Sequence, residues 1–273
     1  MGNFSGILLA SDVDGTLLHD GCVCPRNAAA IERFVGGGGL FTVATGRTRL
    51  AMAPLLGQFP VNAPAVLGNG AFIYDYAADN IVFRRPLDYN YPEIAEAGLE
   101  IPGVALEIHS EDAVWVIRPN KHNDAHFEII GAQGIVIGNL DEPPKPWLKM
   151  VFVGEPDELA LVRARIAPLC GGNFSLVSSV DVFLECLHKD ANKGAGVTTL
   201  AEMLKIEREN VFVIGDNNND VPMLKRFTGF VPANGTDEAK SVGTTVCANS
   251  DGAVADVVER LTEWVKEGII RNL

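Results

Sequence analysis

The sequence predicts an α/β protein: a doubly wound parallel-sheet core whose chain is interrupted by an inserted α+β domain. Three observations predict it. Short apolar runs alternate with helix-length segments at both ends of the chain. Several of these runs stop abruptly at small or acidic polar residues, as buried parallel strands do where they reach the edge of a sheet. Between residues 84 and 189 the rhythm changes to a helix followed by two strands, twice over, which implies hairpins and a separate domain. The expected division is therefore 1–83 with 190–273 for the discontinuous core, and 84–189 for the insertion.

The opening strand is Ile7 to Ala10, cut off by Asp12 and Asp14 flanking one valine, with Gly15 to turn the backbone before Thr16. Pro25 through Val35 reads as a helix with Pro25 in its first turn, stopped by the glycines Gly36 to Gly39. Leu40 to Ala44 is a second strand, followed by Thr45, Gly46 and Arg47 and then a helix over Thr48 to Leu56. This places Thr45 and Gly46 just ahead of a helix N-terminus, where free amides favour an anion. A third short strand, Ala65 to Leu67, ends in Gly68-Asn69-Gly70.

Within the insertion the pattern predicts a helix over Asp88 to Glu100 and strands over Val104 to His109 and Val114 to Arg118, with a turn at Glu111-Asp112. After the prolines Pro143, Pro144 and Pro146 come a strand over Leu148 to Val153 and a helix over Pro156 to Leu169. Strands over Phe174 to Ser178 and Val182 to His188 close the domain. The βα rhythm then returns: a helix from Asn192-Lys193-Gly194 through Leu204, a buried strand Val211 to Ile214, and the loop Gly215 to Asp220. Pro222 fits the first turn of the next helix. Short strands over Gly229 to Val231 and Thr245 to Cys247 and an amphipathic helix over Val254 to Val265 complete the chain.

With 273 residues and 47% hydrophobic content the chain can bury a sizeable core. No apolar run approaches the length of a membrane span and no basic-then-apolar leader is visible, so a cytoplasmic protein with no membrane partner is expected. Five scattered cysteines without a Cys-x-x-Cys pair point to reduced thiols, Cys22 and Cys24 reading as loop residues. A formal net charge of −13 argues against nucleic acid as a partner. It leaves room for an anionic small molecule, because a bound cation and a few basic groups can invert the field inside one pocket.

The polar loops after the core strands together offer what phosphoryl chemistry requires. Asp12 and Asp14 supply two carboxylates, Thr45 a hydroxyl, Lys193 a fixed positive charge, and Asp216 and Asp220 two further carboxylates. Four carboxylates in one cleft need compensation, and Mg²⁺ with the Lys193 ammonium would provide it. The bland readings stand beside this. Asp-Val-Asp-Gly is also a plain turn sequence, Asp220 is also an N-cap candidate, Lys189 competes with Lys193 as the basic residue, and Arg47 could equally pair with an acidic neighbour. His109, His122, His126 and His188 read as surface or satisfied histidines with no metal-ligand spacing.

In its ordered motifs SDVDGT (11–16), ATGR (44–47), NKG (192–194) and GDNNND (215–220), the chain resembles the haloacid dehalogenase (HAD) superfamily and, within it, the Cof-like subclass IIB phosphatases. The tail VPANGTDEAK and NSDGAV fits as well, although Gly235 stands where Ala is more usual, a departure with no expected effect on catalysis. The resemblance implies a Rossmann-like core with a cap domain, and a Mg²⁺-dependent phosphatase acting on a small phosphorylated metabolite such as a sugar phosphate. It implies Asp12 as nucleophile, Asp14 as general acid and base, and Thr45, Gly46 and Lys193 as ligands of the transferred phosphoryl group. Arg47 and Asn69 border the same cleft as candidate substrate contacts. Mg²⁺ would be held by Asp12, the Asp14 carbonyl and Asp216, with Asn219 and Asp220 supporting it and orienting Lys193. Two other functions stay open: a phosphomutase using the same aspartyl phosphate, and a non-catalytic phosphometabolite-binding protein. The acid at position 14 argues against a dehalogenase, and the oligomeric state is not legible.

Overall fold

The computed structural model describes residues 4–87, 91–111, 113–130, 133–178 and 180–270. The chain forms two compact units, one of Met1–Gly46, Leu55–Phe83 and Asn192–Leu273, the other of Arg47–Pro54 and Arg84–Ala191.

The first unit is built on a five-stranded sheet in the order Thr244–Val246, Thr228–Pro232, Val211–Ile214, Leu8–Ser11, Leu40–Val43, with every neighbouring pair parallel. The strands are apolar because both faces are covered. Leu8, Ala10, Val211, Val213 and Val231 pack with Val197, Leu200, Met223 and Leu224, so helices Lys193–Leu204 and Val221–Arg226 cover one face. Trp264 of helix Ala253–Lys266 lies against the rings of Phe212 and Phe230, at 6.1 and 6.0 Å between centroids. That helix also lies alongside Pro25–Gly36. The chain runs outward in opposite directions from the adjacent strands Leu8–Ser11 and Val211–Ile214. Such a reversal opens a crevice at the carboxyl ends of the two strands.

Several elements differ from the expectation. Ala65–Leu67 is not a full member of the parallel sheet. It joins that sheet through a parallel bridge between Ala44 and Val66, with the Thr45 N–H donating to the Val66 carbonyl at 2.9 Å, and pairs antiparallel with Phe72–Asp75 in a three-stranded sheet completed by Asn80–Arg84. After Leu18–His19 the chain turns back through Asp20 and Gly21, at φ 49° and 75°, into Cys22–Val23. Positive φ at both central residues is the hairpin turn that Asp-Gly favours, so Cys22 lies in a strand and not in a loop. The α-helix expected over Thr48 to Leu56 is only Arg49–Met52, capped by the Thr48 hydroxyl, and passes into a 3₁₀ turn where Pro54 withdraws its N–H.

The second unit carries a six-stranded sheet in the order Ile135–Val136, Val114–Ile117, Ala105–His109, Lys149–Val153, Phe183–His188, Phe174–Val177. Leu106, Ile108, Met150, Phe152, Leu184 and Cys186 form its apolar face and pack with Ile94, Ala95, Leu159, Val162 and Ile166 from helices Tyr91–Leu99 and Pro156–Ile166. The opposite face holds Glu107, His109, Lys149 and Glu185, all buried. Lys149 Nζ lies 2.9 Å from Glu185 Oε2, and Glu107 accepts from Asn123 Nδ2 at 2.8 Å and lies 3.1 Å from ring nitrogens of both His109 and His126. The expected helix start at Asp88 and the turn residue Asp112 lie outside the described residues. Helix Lys121–Ile130, which supplies Asn123 and His126, is an addition to the sequence reading: its polar KHNDAHFE stretch has no apolar periodicity to betray it. The segment Arg47–Pro54, expected in the core, belongs to this second unit.

Candidate active site

Strand Leu8–Ser11 ends by handing its ladder to Asp12, whose N–H donates to the Ile214 carbonyl at 2.8 Å. Because Ser11 pairs with Ile214 in register, the residues after each strand emerge side by side: Asp12 to Thr16 from one, Gly215 to Asp220 from the other. Gly15, at φ 80°, turns the first loop directly against Asp216. A Cβ on Gly15 would stand 2.5 Å from Asp216 Oδ2, so only glycine permits the approach. The Thr16 hydroxyl, fully buried, donates to Asp216 Oδ1 at 2.8 Å.

Lys193 enters from a third direction. Asn192, in extended conformation, caps the helix by accepting from the Ala195 N–H at 2.8 Å, so Lys193 is the first helical residue. Its ammonium is buried and donates to Asp12 Oδ1 and to Asp220 Oδ1, both at 2.6 Å. The other Asp220 oxygen accepts from the N–H groups of Asp216 and Asn217, each at 3.0 Å. Asp220 therefore makes no side-chain cap on helix Val221–Arg226. It fastens the lysine to the loop that carries Asp216. Lys189, the alternative lysine, is exposed and lies in the second unit.

Among the described residues, Asp12, Asp216 and Asp220 are the one group of metal-ligating side chains whose donor atoms all fall within 4.8 Å of one another. The charge state is correspondingly strained. Burial first, then the carboxylates of Asp220, Asp216 and Asp14, push the Asp12 carboxyl well above its usual range against the pull of Lys193. Burial also raises Asp216, against the hydrogen bond from Thr16. Burial alone would lower Lys193, but Asp12 and Asp220 outweigh it and hold the ammonium above its ordinary value. One ammonium facing three carboxylates leaves a deficit that a hard divalent cation fits, since carboxylate oxygens are the ligands Mg²⁺ prefers.

Of the other expected residues, Thr45 and Asn69 are buried in the same unit. Asn69 N–H donates to the Thr45 carbonyl at 2.9 Å, and Asn69 Oδ1 accepts from Asn219 Nδ2 at 3.1 Å. Asn69 takes a left-handed conformation, φ 55°, between two glycines that also have positive φ. A Cβ on Gly46 would meet the Asn69 amide at 3.2 Å, so these residues form one contiguous wall. Asp14 is exposed. Arg47 lies in the second unit, where Nη1 donates to the Ala51 carbonyl at 3.0 Å. Thr16 and Asn234 lie within the motifs, but no role for them is legible in the sequence. Thr16 holds Asp216, and Asn234 Nδ2 donates to the Gly15 carbonyl at 2.8 Å. Neither partner could be read from the chain, since Thr16 and Asp216 are 200 positions apart.

The profile of the haloacid dehalogenase-like hydrolases matches residues 9–258. An HMP-PP phosphatase of Klebsiella pneumoniae (strain 342) is 26% identical over 270 residues, covering 94% of this chain and 95% of the relative. Another HMP-PP phosphatase, of Enterobacter sp. (strain 638), is 28% identical over 221 residues, 80% of each chain. In fold, the chain superposes on the HAD subclass IIB sugar phosphatase BT4131 with a TM-score of 0.83, at 18% identity, over 97% of this chain and 100% of that one. A family match spanning nearly the whole chain, with the fold of subclass IIB and the acidic cluster at the carboxyl ends of its two central strands, shows that the protein belongs to the haloacid dehalogenase-like hydrolases.

Proposed function

We propose that the protein is a Mg²⁺-dependent phosphatase that hydrolyses a small phosphorylated metabolite through a phosphoryl-aspartate on Asp12. The observation that carries this reading is the bond from the Lys193 ammonium to Asp12 Oδ1 within a group of three clustered carboxylates. A nucleophilic carboxylate attacking an anionic phosphoryl group needs adjacent positive charge, and Lys193 is fixed there by Asp220.

In this mechanism an Asp12 oxygen forms the new bond to phosphorus as the bond to the leaving oxygen breaks. Asp14, exposed beside it, gives its proton to that leaving oxygen. Asp14 then takes a proton from water, whose oxygen attacks phosphorus and releases phosphate and the Asp12 carboxylate. Lys193, the Thr45 hydroxyl and the Gly46 amide hold the phosphoryl oxygens throughout. Asp12, the Asp14 carbonyl and Asp216 would hold Mg²⁺, which supplies neutralisation of phosphoryl charge when bound. Asn219 supports this arrangement from the Asn69 side, and Asp220 orients the lysine. Asn69 and Arg47 are the candidate contacts to the rest of the substrate.

The substrate class we favour is a small phosphomonoester, with sugar phosphates first. A neighbour in fold is a sugar phosphatase and two relatives are HMP-PP phosphatases, so HMP-PP is the second candidate. The test is phosphate release from a panel of sugar phosphates, nucleotides, phosphorylated acids and HMP-PP, with Mg²⁺ and with EDTA. Release that needs Mg²⁺ and disappears in Asp12→Asn supports the reading. A folded, Mg²⁺-supplemented protein that frees phosphate from nothing in the panel would falsify it.

A further inference from the structure

One short segment bonds to both loops of the acidic cluster. Asn234 Nδ2 donates to the Gly15 carbonyl at 2.8 Å, and two residues later the Thr236 N–H donates to the Asp216 carbonyl at 2.8 Å. Between them, Gly235 packs so closely that a Cβ there would stand 2.6 Å from Val231 Cγ1 and 3.1 Å from the Asp216 carbonyl. The segment is itself held from behind. The Asn249 N–H donates to Asn234 Oδ1 at 2.9 Å, and Asn249 Nδ2 reaches the Leu18 carbonyl at 2.8 Å. Thus Asn234 spends its acceptor on Asn249 and its donor on Gly15, which fixes the amide's orientation.

Gly15 is the residue against which the Asp216 carboxylate is seated, and Thr16, its neighbour, donates to that carboxylate. We propose that Asn234, braced by Asn249, is a positioning residue that sets the spacing between the Asp12–Thr16 loop and Asp216, and thereby the affinity of the cluster for a divalent cation. This rests on the reading of Asp12 and Asp216 as cation ligands. Asn234 touches neither carboxylate; it acts through the Gly15 carbonyl. Outer partners of metal ligands commonly tune affinity in this way.

Asn234 is exposed, so its truncation leaves the core packing untouched. The experiment titrates Mn²⁺ into the metal-free full-length protein by calorimetry, for the wild type, Asn234→Ala and Asn234→Asp, alongside thermal denaturation without metal. Asp keeps an acceptor for Asn249 but replaces the donor to Gly15 with an acceptor and adds a negative charge, which by itself would favour the cation, so weaker binding in Asn234→Asp reports the lost donor and not the charge. We expect both variants to bind Mn²⁺ at least about tenfold more weakly than the wild type, with metal-free melting lowered by no more than about 2–4 °C, since a hydrogen bond lost at an exposed side chain costs about 1 kcal/mol. A wild type that binds Mn²⁺ beside variants that bind it equally tightly overturns the positioning role alone. A variant whose affinity falls only in step with a lost metal-free melting transition overturns it too, as a merely structural effect. A folded wild type that binds no Mn²⁺ overturns the cation reading on which the inference stands.

Discussion

The Lys193 ammonium sits 2.6 Å from Asp220 Oδ1, and neither side chain is more than 1% exposed. A pair this deep is held by mutual need, because each charge stranded alone would face a large desolvation cost. Lys193→Met should therefore cost about 3–5 kcal/mol in denaturant unfolding, besides abolishing phosphate release. The double variant Lys193→Met with Asp220→Asn should recover part of that stability and none of the activity. Full stability in the single variant would show that the ion pair is not structural.

Asp12→Asn acts in the opposite direction on the fold. Burial and three neighbouring carboxylates raise the Asp12 carboxyl, so a neutral amide relieves repulsion while Lys193 keeps Asp220. We expect turnover to fall by about 10⁴-fold or more, with a metal-free melting temperature equal to or above that of the wild type. Melting well below the wild type would contradict the electrostatic account.

Gly70 offers a steric test. It has φ 88°, and a Cβ there would stand 2.2 Å from the carbonyl of Asn192, the residue that caps the lysine helix. Gly70→Ala combines backbone strain with a clash against main chain. It should destabilise by at least about 1–3 kcal/mol and weaken substrate binding by displacing Lys193. Wild-type KM and melting together would refute this.

The second unit should be acid-sensitive. His109 is kept neutral, its pKa lowered from 6.5 to about 4, first by burial and then by the Lys149 ammonium, against the attraction of Glu107. As the pH falls below 6.5 the unfolded chain takes up a proton that the folded state refuses, so stability drains away between 6.5 and 4. Glu107 adds to this. Burial pushes its carboxyl up, but hydrogen bonds with His109 and His126 outweigh it and hold the group below its ordinary value of 4.5. Its contribution is present above 4.5 and is lost as the pH falls further. The His109 share alone is on the order of 3 kcal/mol. A ¹H NMR titration should show His109 still neutral at pH 5.5, whereas titration near 6.5 would rule the scheme out.

The sequence carried the core and its acidic cluster because their signals are local. An apolar run ending at Asp12 and another ending at Gly215-Asp216 mark strand ends, and Asn192-Lys193-Gly194 marks a helix start, whichever way the rest folds. What it hid depends on register or on partners far along the chain. Nothing local says that Lys149 reaches Glu185 diagonally on the neighbouring strand, that Asn234 reaches Gly15, or that Ala65–Leu67 pairs antiparallel with Phe72–Asp75. Asp220 looked like a helix cap because Pro222 follows it. The family resemblance also implies that it orients Lys193, and of the two readings the carboxylate takes this one: it accepts from the Lys193 ammonium and makes no side-chain cap on helix Val221–Arg226.

The split of the core by an insertion also has a consequence for synthesis. Asp12 and Lys193 are 181 positions apart, and the lysine's second anchor lies 27 further on. A ribosome making this protein releases the strand that leads to Asp12 first, then an intervening unit with its own apolar core, and only afterwards the lysine, Asp216 and Asp220. The acidic cluster with its lysine cannot assemble on any nascent chain that stops short of Asp220. Truncated translation products are expected to be inert toward the cell's phosphorylated metabolites, even where the intervening unit has already folded.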